Sequence, residues 1–308
     1  MVKEVTLRVK VGRLYLKNPT MNASGILDTT PGLWKRLHLS GSAAIVTKST
    51  GMFEREPYCG PNVVEIECGL LNAMGLPNPG IDVLSTEIAQ FKKDHPEAII
   101  IASIFGSSAE EFQRLAYKVE EAGADAVELN LSCPHAKGYG MELGTDPKMV
   151  KDIVETVKTS VKIPVFPKLT PNVTSIVDIA GAALSAGADA IVAINSVKAL
   201  RINVDIMRPV LGNIYGGYSG EGILPIGIRA VWDIYREFEC DIIGVGGISN
   251  YKHALEYILA GAKAVQIGSA IHKRGFSIFN EINEEISRWL QERGFKSISD
   301  IVALAQKV

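Results

Sequence analysis

The 308-residue sequence has almost no net charge and no long apolar run. Its formal net charge is −2 and its isoelectric point is near 6.3, so no global electric field recruits nucleic acid or an anionic membrane. No apolar run approaches the roughly 20 residues that a membrane span requires. The charged N-terminal residues are not followed by the apolar stretch of a secretory signal. These absences predict a cytoplasmic protein that binds neither nucleic acid nor membrane.

Cysteine is also scarce. The four cysteines, Cys59, Cys68, Cys133 and Cys240, form no CxxC pair and no metal-ligand spacing with histidine, which argues against a zinc or iron–sulfur site within the chain. Low cysteine usage fits a reducing cytoplasm. Taken alone, each cysteine is predicted to be a small buried apolar residue. The composition, with 47% hydrophobic and 21% charged residues, is that of a globular protein with a large core.

A short phrase recurs along the chain. Copies of Ala-Gly-Ala, each followed by Asp or Lys and an apolar run, begin at Ala122, Ala186 and Ala260, and a looser copy begins at Ser40. Each copy follows residues whose apolar positions have helical spacing. The glycine suits the left-handed position that ends a helix, and the apolar run suits a strand buried on both faces. Each copy therefore predicts a junction from helix to strand.

The apolar runs predict eight buried strands that alternate with helices, and this pattern indicates a (β/α)8 TIM barrel. The predicted strands span residues 20–23, 43–47, 98–104, 126–131, 165–169, 190–194, 242–246 and 264–267. Residues 5–11 and 14–16 are expected to form a β-hairpin at the bottom of the barrel. No linker interrupts the chain, so a single domain over residues 1–308 is expected. An open doubly wound sheet is the alternative, but no GxGxxG follows the first strand.

Polar or glycine residues follow almost every predicted strand. They include Asn22, Lys48, Asn130, Lys168 and Asn195. Because chemistry in such barrels gathers at the carboxyl ends of the strands, these side chains are expected to point toward one site. A lysine there would stabilise an anion that forms in the barrel mouth. Amides both donate and accept hydrogen bonds, so they suit an imide or amide ring.

Two glycine elements follow the last two strands. Gly246-Gly247 comes after the seventh strand and Gly268-Ser269 after the eighth. Backbone N–H groups at these two positions form the usual phosphate site of a TIM barrel. The sequence therefore predicts a phosphorylated ligand or cofactor.

Taken together, these segments resemble the dihydroorotate dehydrogenases, from about Asn18 to Ser269. The stretches NAMGLPNPG at residues 72–80 and NLSCP at residues 130–134 are the most specific parts of the resemblance. The segment PKLTPNV at residues 167–173 also matches. The glycine elements at residues 217–220 and 244–247 are common to many flavin and phosphate-binding barrels.

The resemblance implies one non-covalent FMN per chain, with its phosphate at the loops after strands seven and eight. The residues that it places around the flavin are Ala23, Ser24, Lys48, Asn130, Lys168, Ile194, Gly220, Gly246, Gly247, Gly268 and Ser269. Those that it places around the pyrimidine and its carboxylate are Lys48, Asn72, Met74, Gly75, Leu76, Asn130, Asn195 and Ser196. Lys168 would neutralise charge at the N1–C2 edge of the reduced flavin.

The resemblance also identifies Cys133 as the catalytic base. This thiol would remove a proton from C5 of dihydroorotate while C6 delivers a hydride to flavin N5. A cysteine here implies the soluble class, since the membrane-attached class uses serine and carries an N-terminal extension for which this chain has no room. Residues 134–144 would form a mobile loop over the substrate, with Gly138, Gly140 and Gly144 as its hinges. His135 departs from the family pattern, which usually has a substrate-contacting asparagine there.

Soluble relatives differ in their electron acceptor. One group is a homodimer that reduces fumarate, whereas the other pairs a homodimer with an FAD and [2Fe-2S] subunit, in a heterotetramer that reduces NAD. Residues 128–133 and 144–147 are more similar to the second group. Two alternatives stay open: a barrel like that of dihydropyrimidine dehydrogenase, and a phosphate-binding barrel without redox chemistry.

Overall fold

A computed structural model describes residues 5–132 and 143–307. The strands are β1 Val9–Val11, β2 Leu14–Leu16, β3 Thr20–Asn22, β4 Ile45–Val46, β5 Val63–Ile66, β6 Gly69–Asn72, β7 Ile100–Ile104, β8 Ala126–Asn130, β9 Val165–Leu169, β10 Ile191–Ala193, β11 Val197–Ala199, β12 Ile202–Asn203, β13 Arg208–Pro209, β14 Gly216–Ser219, β15 Ile242–Val245 and β16 Ala264–Ile267. The α-helices are α1 Pro31–Leu39, α2 Ile81–Asp94, α3 Ala109–Glu121, α4 Pro147–Ser160, α5 Ile176–Ser185, α6 Leu224–Phe238, α7 Tyr251–Ala260, α8 Ala270–Arg274 and α9 Ile278–Glu292.

Eight parallel strands form the central sheet, in the order β3-β16-β15-β10-β9-β8-β7-β4. Their residues are almost all buried, which explains their largely apolar sequences. The two ends of the sheet meet where Ala43 N–H donates to the carbonyl of Thr20 at 2.8 Å. Helices connect the strands, so the predicted (β/α)8 barrel is confirmed.

Four of the described helices, α3, α4, α5 and α7, begin at capping side chains. Ser108 accepts a hydrogen bond from the N–H of Glu111 at the start of α3. Asn250 accepts bonds from the N–H groups of Lys252 and His253 at the start of α7. These bonds satisfy backbone donors that the first helical turn leaves free, and they fix where each strand-to-helix loop ends.

The recurring Ala-Gly-Ala phrase lies at the helix-to-strand junctions, as predicted. Gly123, Gly187 and Gly261 all have positive φ, of 92°, 89° and 125°. The following Asp125 accepts the N–H of Ile100 at 2.7 Å, and Asp189 accepts the N–H of Val165 at 2.8 Å. Each aspartate therefore pairs a backbone donor at the start of the preceding barrel strand, at the bottom of the barrel.

The predicted N-terminal hairpin is present but shorter than expected. β1 pairs with β2, and Gly12 N–H donates to Asp241 Oδ2 at 2.8 Å, which places the turn at the bottom of the barrel. Thr6, predicted within the first strand, instead exchanges backbone hydrogen bonds with Lys296 and Ile298. The three-residue β2 offers Thr6 no partner, so the chain pairs with the C-terminal segment.

Further small sheets were not predicted. A four-stranded antiparallel sheet has the order β11-β14-β6-β5, and β12 pairs with β13. The prediction that the cysteines are buried is wrong for Cys59 and Cys68, which are exposed, and Cys240 is only partly buried. Within residues 5–132 and 143–307, no helix is both long and apolar enough to span a membrane.

Candidate active site

A cavity of about 920 Å³ opens at the carboxyl ends of the barrel strands. This volume is within the range of small-molecule sites. The predicted site residues that line it are Ala23, Ser24, Lys48, Asn72, Met74, Leu76, Asn130, Lys168, Ile194, Asn195, Ser196, Gly220, Gly246, Gly247, Gly268 and Ser269. Gly75 is not among the lining residues, and a Cβ on it would lie 2.8 Å from the ring of Tyr58. Cys133 lies outside the described residues.

Lys168 occupies the floor of the cavity. Its side chain is only 6% exposed, and its ammonium donates to Gln266 Oε1 at 2.8 Å. The ammonium also lies 3.4 Å from Oε1 of Glu128, whose carboxylate is completely buried. The amide of Gln266 donates to the other oxygen of Glu128 at 2.7 Å. The cation is thus held by a buried network from strands β8, β9 and β16.

Serine hydroxyls extend this network along the cavity wall. Ser49 Oγ lies 3.0 Å from Ser24 Oγ and 2.9 Å from Ser103 Oγ. Ser103 donates to Glu128 Oε1 at 3.1 Å, and the amide of Asn130 donates to Ser49 at 3.1 Å. The serines therefore connect the first-strand loop with the buried carboxylate.

Amide side chains form a second group beside the cation. Asn130 Oδ1 accepts hydrogen bonds from the hydroxyl of Ser132 at 2.7 Å and from the amide of Asn195 at 3.3 Å. Asn195 Nδ2 also donates to Ser132 Oγ, and its Oδ1 accepts the N–H of Ser196 at 2.8 Å. These bonds fix the amides in place and present both donors and acceptors to a planar polar ligand.

The unpredicted antiparallel sheet covers one side of the cavity. Asn72, at the end of β6, donates from its amide to the carbonyl of Gly217 in β14 at 3.2 Å. A Cβ on Gly217 would approach Ser196 Oγ to 2.2 Å, and one on Gly216 would approach the carbonyl of Asn72 to 2.1 Å. Only glycine permits this close approach, which brings Asn72 and Ser196 to the same wall.

The segment 72–80 is held by Asn78. Its Oδ1 accepts the N–H groups of Gly80 at 2.9 Å and Gly51 at 3.3 Å, and its amide donates to the carbonyl of Leu76 at 3.0 Å. This explains why an asparagine lies inside the most specific part of the resemblance. Asn78 also lines the cavity.

Lys48 is paired electrostatically with Asp28, a residue that sequence reasoning missed. Burial lowers the pKa of Lys48, while the nearby Asp28 opposes this shift. Burial raises the pKa of Asp28 to about 6, against the N–H of Gly25, which donates to its Oδ2 at 2.6 Å. Its Oδ1 has no hydrogen-bond partner among the described residues. An aspartate in a loop gives no sequence signal of burial.

Asn22, expected among the residues that point into the site, does not line the cavity. Its amide donates to the carbonyl of Val46 at 2.7 Å, and its Oδ1 accepts the N–H of Val46 at 2.9 Å. The side chain bridges β3 and β4, whose backbones form no regular ladder. Asn22 is therefore a structural residue, and that expectation was wrong.

The two glycine elements lie together at the cavity edge. Gly246 and Gly247 have φ of 128° and 75°. A Cβ on Gly247 would lie 2.7 Å from Leu224 Cβ and 2.9 Å from the carbonyl of Gly220. A Cβ on Gly268 would meet only Ala23, at 3.5 Å, so it would project into open space. The bare backbone at these positions fits a phosphate group.

Comparisons with known proteins identify the family of this chain. The model of the family described as dihydroorotate dehydrogenase matches residues 6–290. The chain belongs to the dihydroorotate dehydrogenase family. It is 50% identical to the "Dihydroorotate dehydrogenase B (NAD(+)), catalytic subunit" of Pyrococcus abyssi, over 98% of this chain and 100% of the relative. Proteins with the same name from Pyrococcus horikoshii and Thermoplasma volcanium are 50% and 51% identical, over 100% and 96% of both chains.

Cys133, the predicted base, directly follows Ser132 in the sequence. His135, Gly138 and Gly140 lie outside the described residues with it. The chain is described again from the 3-10 turn Leu143–Thr145, where Gly144 N–H donates to the carbonyl of Leu131 at 2.9 Å. The described residues that flank this segment, Leu131 and Gly144, therefore lie next to each other.

Proposed function

We propose that this chain oxidises dihydroorotate to orotate in the de novo biosynthesis of UMP, with one non-covalent FMN in the cavity. The observation that carries the proposal is the placement of a buried cation, fixed amides and two bare glycine turns around one cavity. The Lys168 ammonium and the Gly247 backbone both line it. Family membership supports the same reaction.

The residues that line the cavity fit FMN. Gly246, Gly247, Gly268 and the N–H of Ser269 would hold its phosphate. Ala23, Ser24, Ile194 and Gly220 would surround its ring, and the Lys168 ammonium would lie at the N1–C2 edge. When bound, FMN would supply the hydride acceptor, at its N5.

The residues of the chain itself would hold the substrate and move its proton. Amides of Asn72, Asn130 and Asn195 would bind the imide edge of the pyrimidine, where donors and acceptors alternate. Lys48 would pair with the substrate carboxylate. Cys133 would take the proton from C5, which requires the thiol in its thiolate form. Backbone groups of residues 74–76 would complete the wall of the substrate site. Met74 and Leu76 line the cavity there, and Gly75 connects them.

The names of the relatives indicate that this chain has a partner subunit. Their names mark them as catalytic subunits of an NAD-dependent enzyme. We propose a cytoplasmic heterotetramer, in which a homodimer of this chain binds two copies of a subunit with FAD and [2Fe-2S]. Among residues 5–132 and 143–307, no cluster of His, Cys, Asp or Glu is arranged to hold a metal, and we propose that the iron–sulfur cluster belongs to the partner. Fumarate should then fail to reoxidise the enzyme.

Anaerobic titration tests the function. The purified protein should show a flavin spectrum that dihydroorotate bleaches and that dihydrouracil, which lacks the carboxylate, leaves unchanged. A colourless protein with an intact fold would exclude FMN. Equal bleaching by both compounds would favour a dihydropyrimidine dehydrogenase-like activity instead.

A further inference from the structure

The buried network beneath Lys168 is more elaborate than a pocket cation requires. The carboxylate of Glu128 is fully buried and does not line the cavity, whereas Lys168 does. Glu128 contacts Lys168, Gln266 and Ser103 through hydrogen bonds. Any effect of Glu128 on a bound ligand therefore passes through Lys168, through the serine hydroxyls that begin at Ser103, or through the electric field.

Stability does not explain this arrangement. Removing two charges from water costs several kcal/mol per ion, and a buried ion pair commonly adds less stability than apolar side chains of similar volume. Most buried strand residues of the barrel are apolar, and an apolar pair in place of Lys168 and Glu128 would have no such desolvation cost, although Gln266 and Ser103 would then lose hydrogen bonds. The charges of Lys168 and Glu128 are better explained by their electrostatic effect on a ligand bound in the cavity that Lys168 lines.

The hydrogen bonds also orient the ammonium. A lysine ammonium has three N–H donors. Among the described residues, one is directed to Gln266 at 2.8 Å and a second to Glu128 at 3.4 Å. One donor is left for the cavity that Lys168 lines. The amide of Gln266 joins the cation and the carboxylate, so the three side chains form one unit.

We propose that Glu128 and Gln266 are positioning residues for Lys168, which aim its ammonium at the flavin edge and offset part of its charge, thereby setting the flavin reduction potential. The inference rests on the proposed binding of FMN. The ammonium lies between the cavity and the carboxylate, so a flavin experiences the positive charge more strongly than the negative one.

This arrangement fixes the order of four midpoint potentials. Glu128→Gln keeps the side-chain shape but leaves the positive charge uncompensated, which favours the reduced and more negative flavin. Lys168→Gln leaves the buried carboxylate alone and has the opposite effect. The expected order, from highest to lowest, is Glu128→Gln, the unaltered protein, the double variant and Lys168→Gln.

The potentials are measured on the FMN-bound protein by anaerobic reductive titration against a redox dye, without dihydroorotate. This readout is independent of Cys133 and of turnover. Glu128→Gln should raise the midpoint potential by about 30 mV or more, which is a tenfold change for a two-electron couple. Ser103→Ala is the matched control, because it removes a hydrogen bond to the same carboxylate without changing charge. It should shift the potential far less.

An unchanged or lower potential in Glu128→Gln would overturn the inference, as would an equal shift in Ser103→Ala. If Glu128→Gln does not fold, the comparison of the double variant with Lys168→Gln replaces it, since the double variant leaves no unpaired buried charge. The double variant must then have the higher potential. A folded but colourless unaltered protein would contradict the proposed function, whereas a coloured protein with unmoved potentials contradicts this inference alone.

Discussion

The side-chain amide of Asn22 makes two hydrogen bonds with the backbone of Val46, at 2.7 and 2.9 Å, and so joins the first and second strands of the barrel. A strand residue would normally pair through its own backbone. Here the amide supplies one donor and one acceptor, which is the same pair of groups that a neighbouring strand presents. The barrel is closed at this point by a side chain.

Replacing Asn22 with leucine should destabilise the protein strongly. Both backbone groups of Val46 would be buried without partners, at about 1–3 kcal/mol each, so we expect a loss of about 2–6 kcal/mol in the free energy of unfolding. Denaturant unfolding measures this loss. Asn283→Leu is the control, since that buried asparagine donates to a single side chain, Thr20, at 2.8 Å. An equal loss in both variants would contradict the bridging role.

The barrel was predictable because its strands are buried on both faces and therefore read as apolar runs. The phosphate glycines were predictable for a similar reason, since their place after the last two strands is fixed by the fold. The Ala-Gly-Ala phrases marked the strand starts, and the structure adds that Asp125 and Asp189 pair backbone donors there.

The small sheets and the buried polar contacts were not predictable. β6 and β14 pair across more than a hundred residues and depend on glycines that allow close approach. Asn22 was predicted to be a site residue because it ends a strand, but its side chain forms hydrogen bonds with the backbone of Val46 instead. Asp28 and Gln266 have polar side chains whose burial depends on distant neighbours, which single-sequence patterns do not report.

Asp28 should make the stability of the protein depend on pH. Burial raises its pKa from 3.8 to about 6, although Lys48 and Lys168 oppose the shift. Between these two values the folded state binds more protons than the unfolded chain, so stability falls as pH rises from about 4 to about 6. The size of this loss is about 3 kcal/mol.

Asp28→Asn should remove that dependence, because the amide keeps an acceptor for Gly25 and carries no charge. Denaturant unfolding of both proteins at several pH values gives the test. The free energy of unfolding of the variant relative to the unaltered protein should increase by about 2–3 kcal/mol between pH 4 and pH 7. The exposed Glu237→Gln variant is the charge-matched control. If the free energy of unfolding varied with pH in the same way for Asp28→Asn and the unaltered protein, the Asp28 carboxyl would have the same pKa in the folded and unfolded states, which would contradict the prediction.

Gly247 should be required for binding of the flavin phosphate because the position has no room for a Cβ, and not only because its φ is positive. Gly247 and the exposed Gly294 have φ of 75° and 76°, so alanine has the same conformational cost of about 1–2 kcal/mol at both positions. A Cβ at Gly294 meets nothing within 4 Å, whereas one at Gly247 collides with Leu224 and Gly220. We expect Gly247→Ala to weaken FMN binding at least tenfold and Gly294→Ala to leave it unchanged. Fluorescence titration of the apoprotein measures both; equal affinities would refute the phosphate assignment.

Cys133 should be the thiol on which turnover depends. Its reference pKa of about 8.5 means that only a few per cent is thiolate at neutral pH, so flavin reduction should accelerate as pH rises toward that value. Cys133→Ala should lose reduction by dihydroorotate while it retains its flavin spectrum. Cys240→Ala is the matched control, because burial raises the pKa of that thiol to about 11 and keeps it protonated. Stopped-flow absorbance follows the reduction directly. Near-normal rates in Cys133→Ala, or a pH profile that the substitution leaves unchanged, would assign the proton transfer to another group.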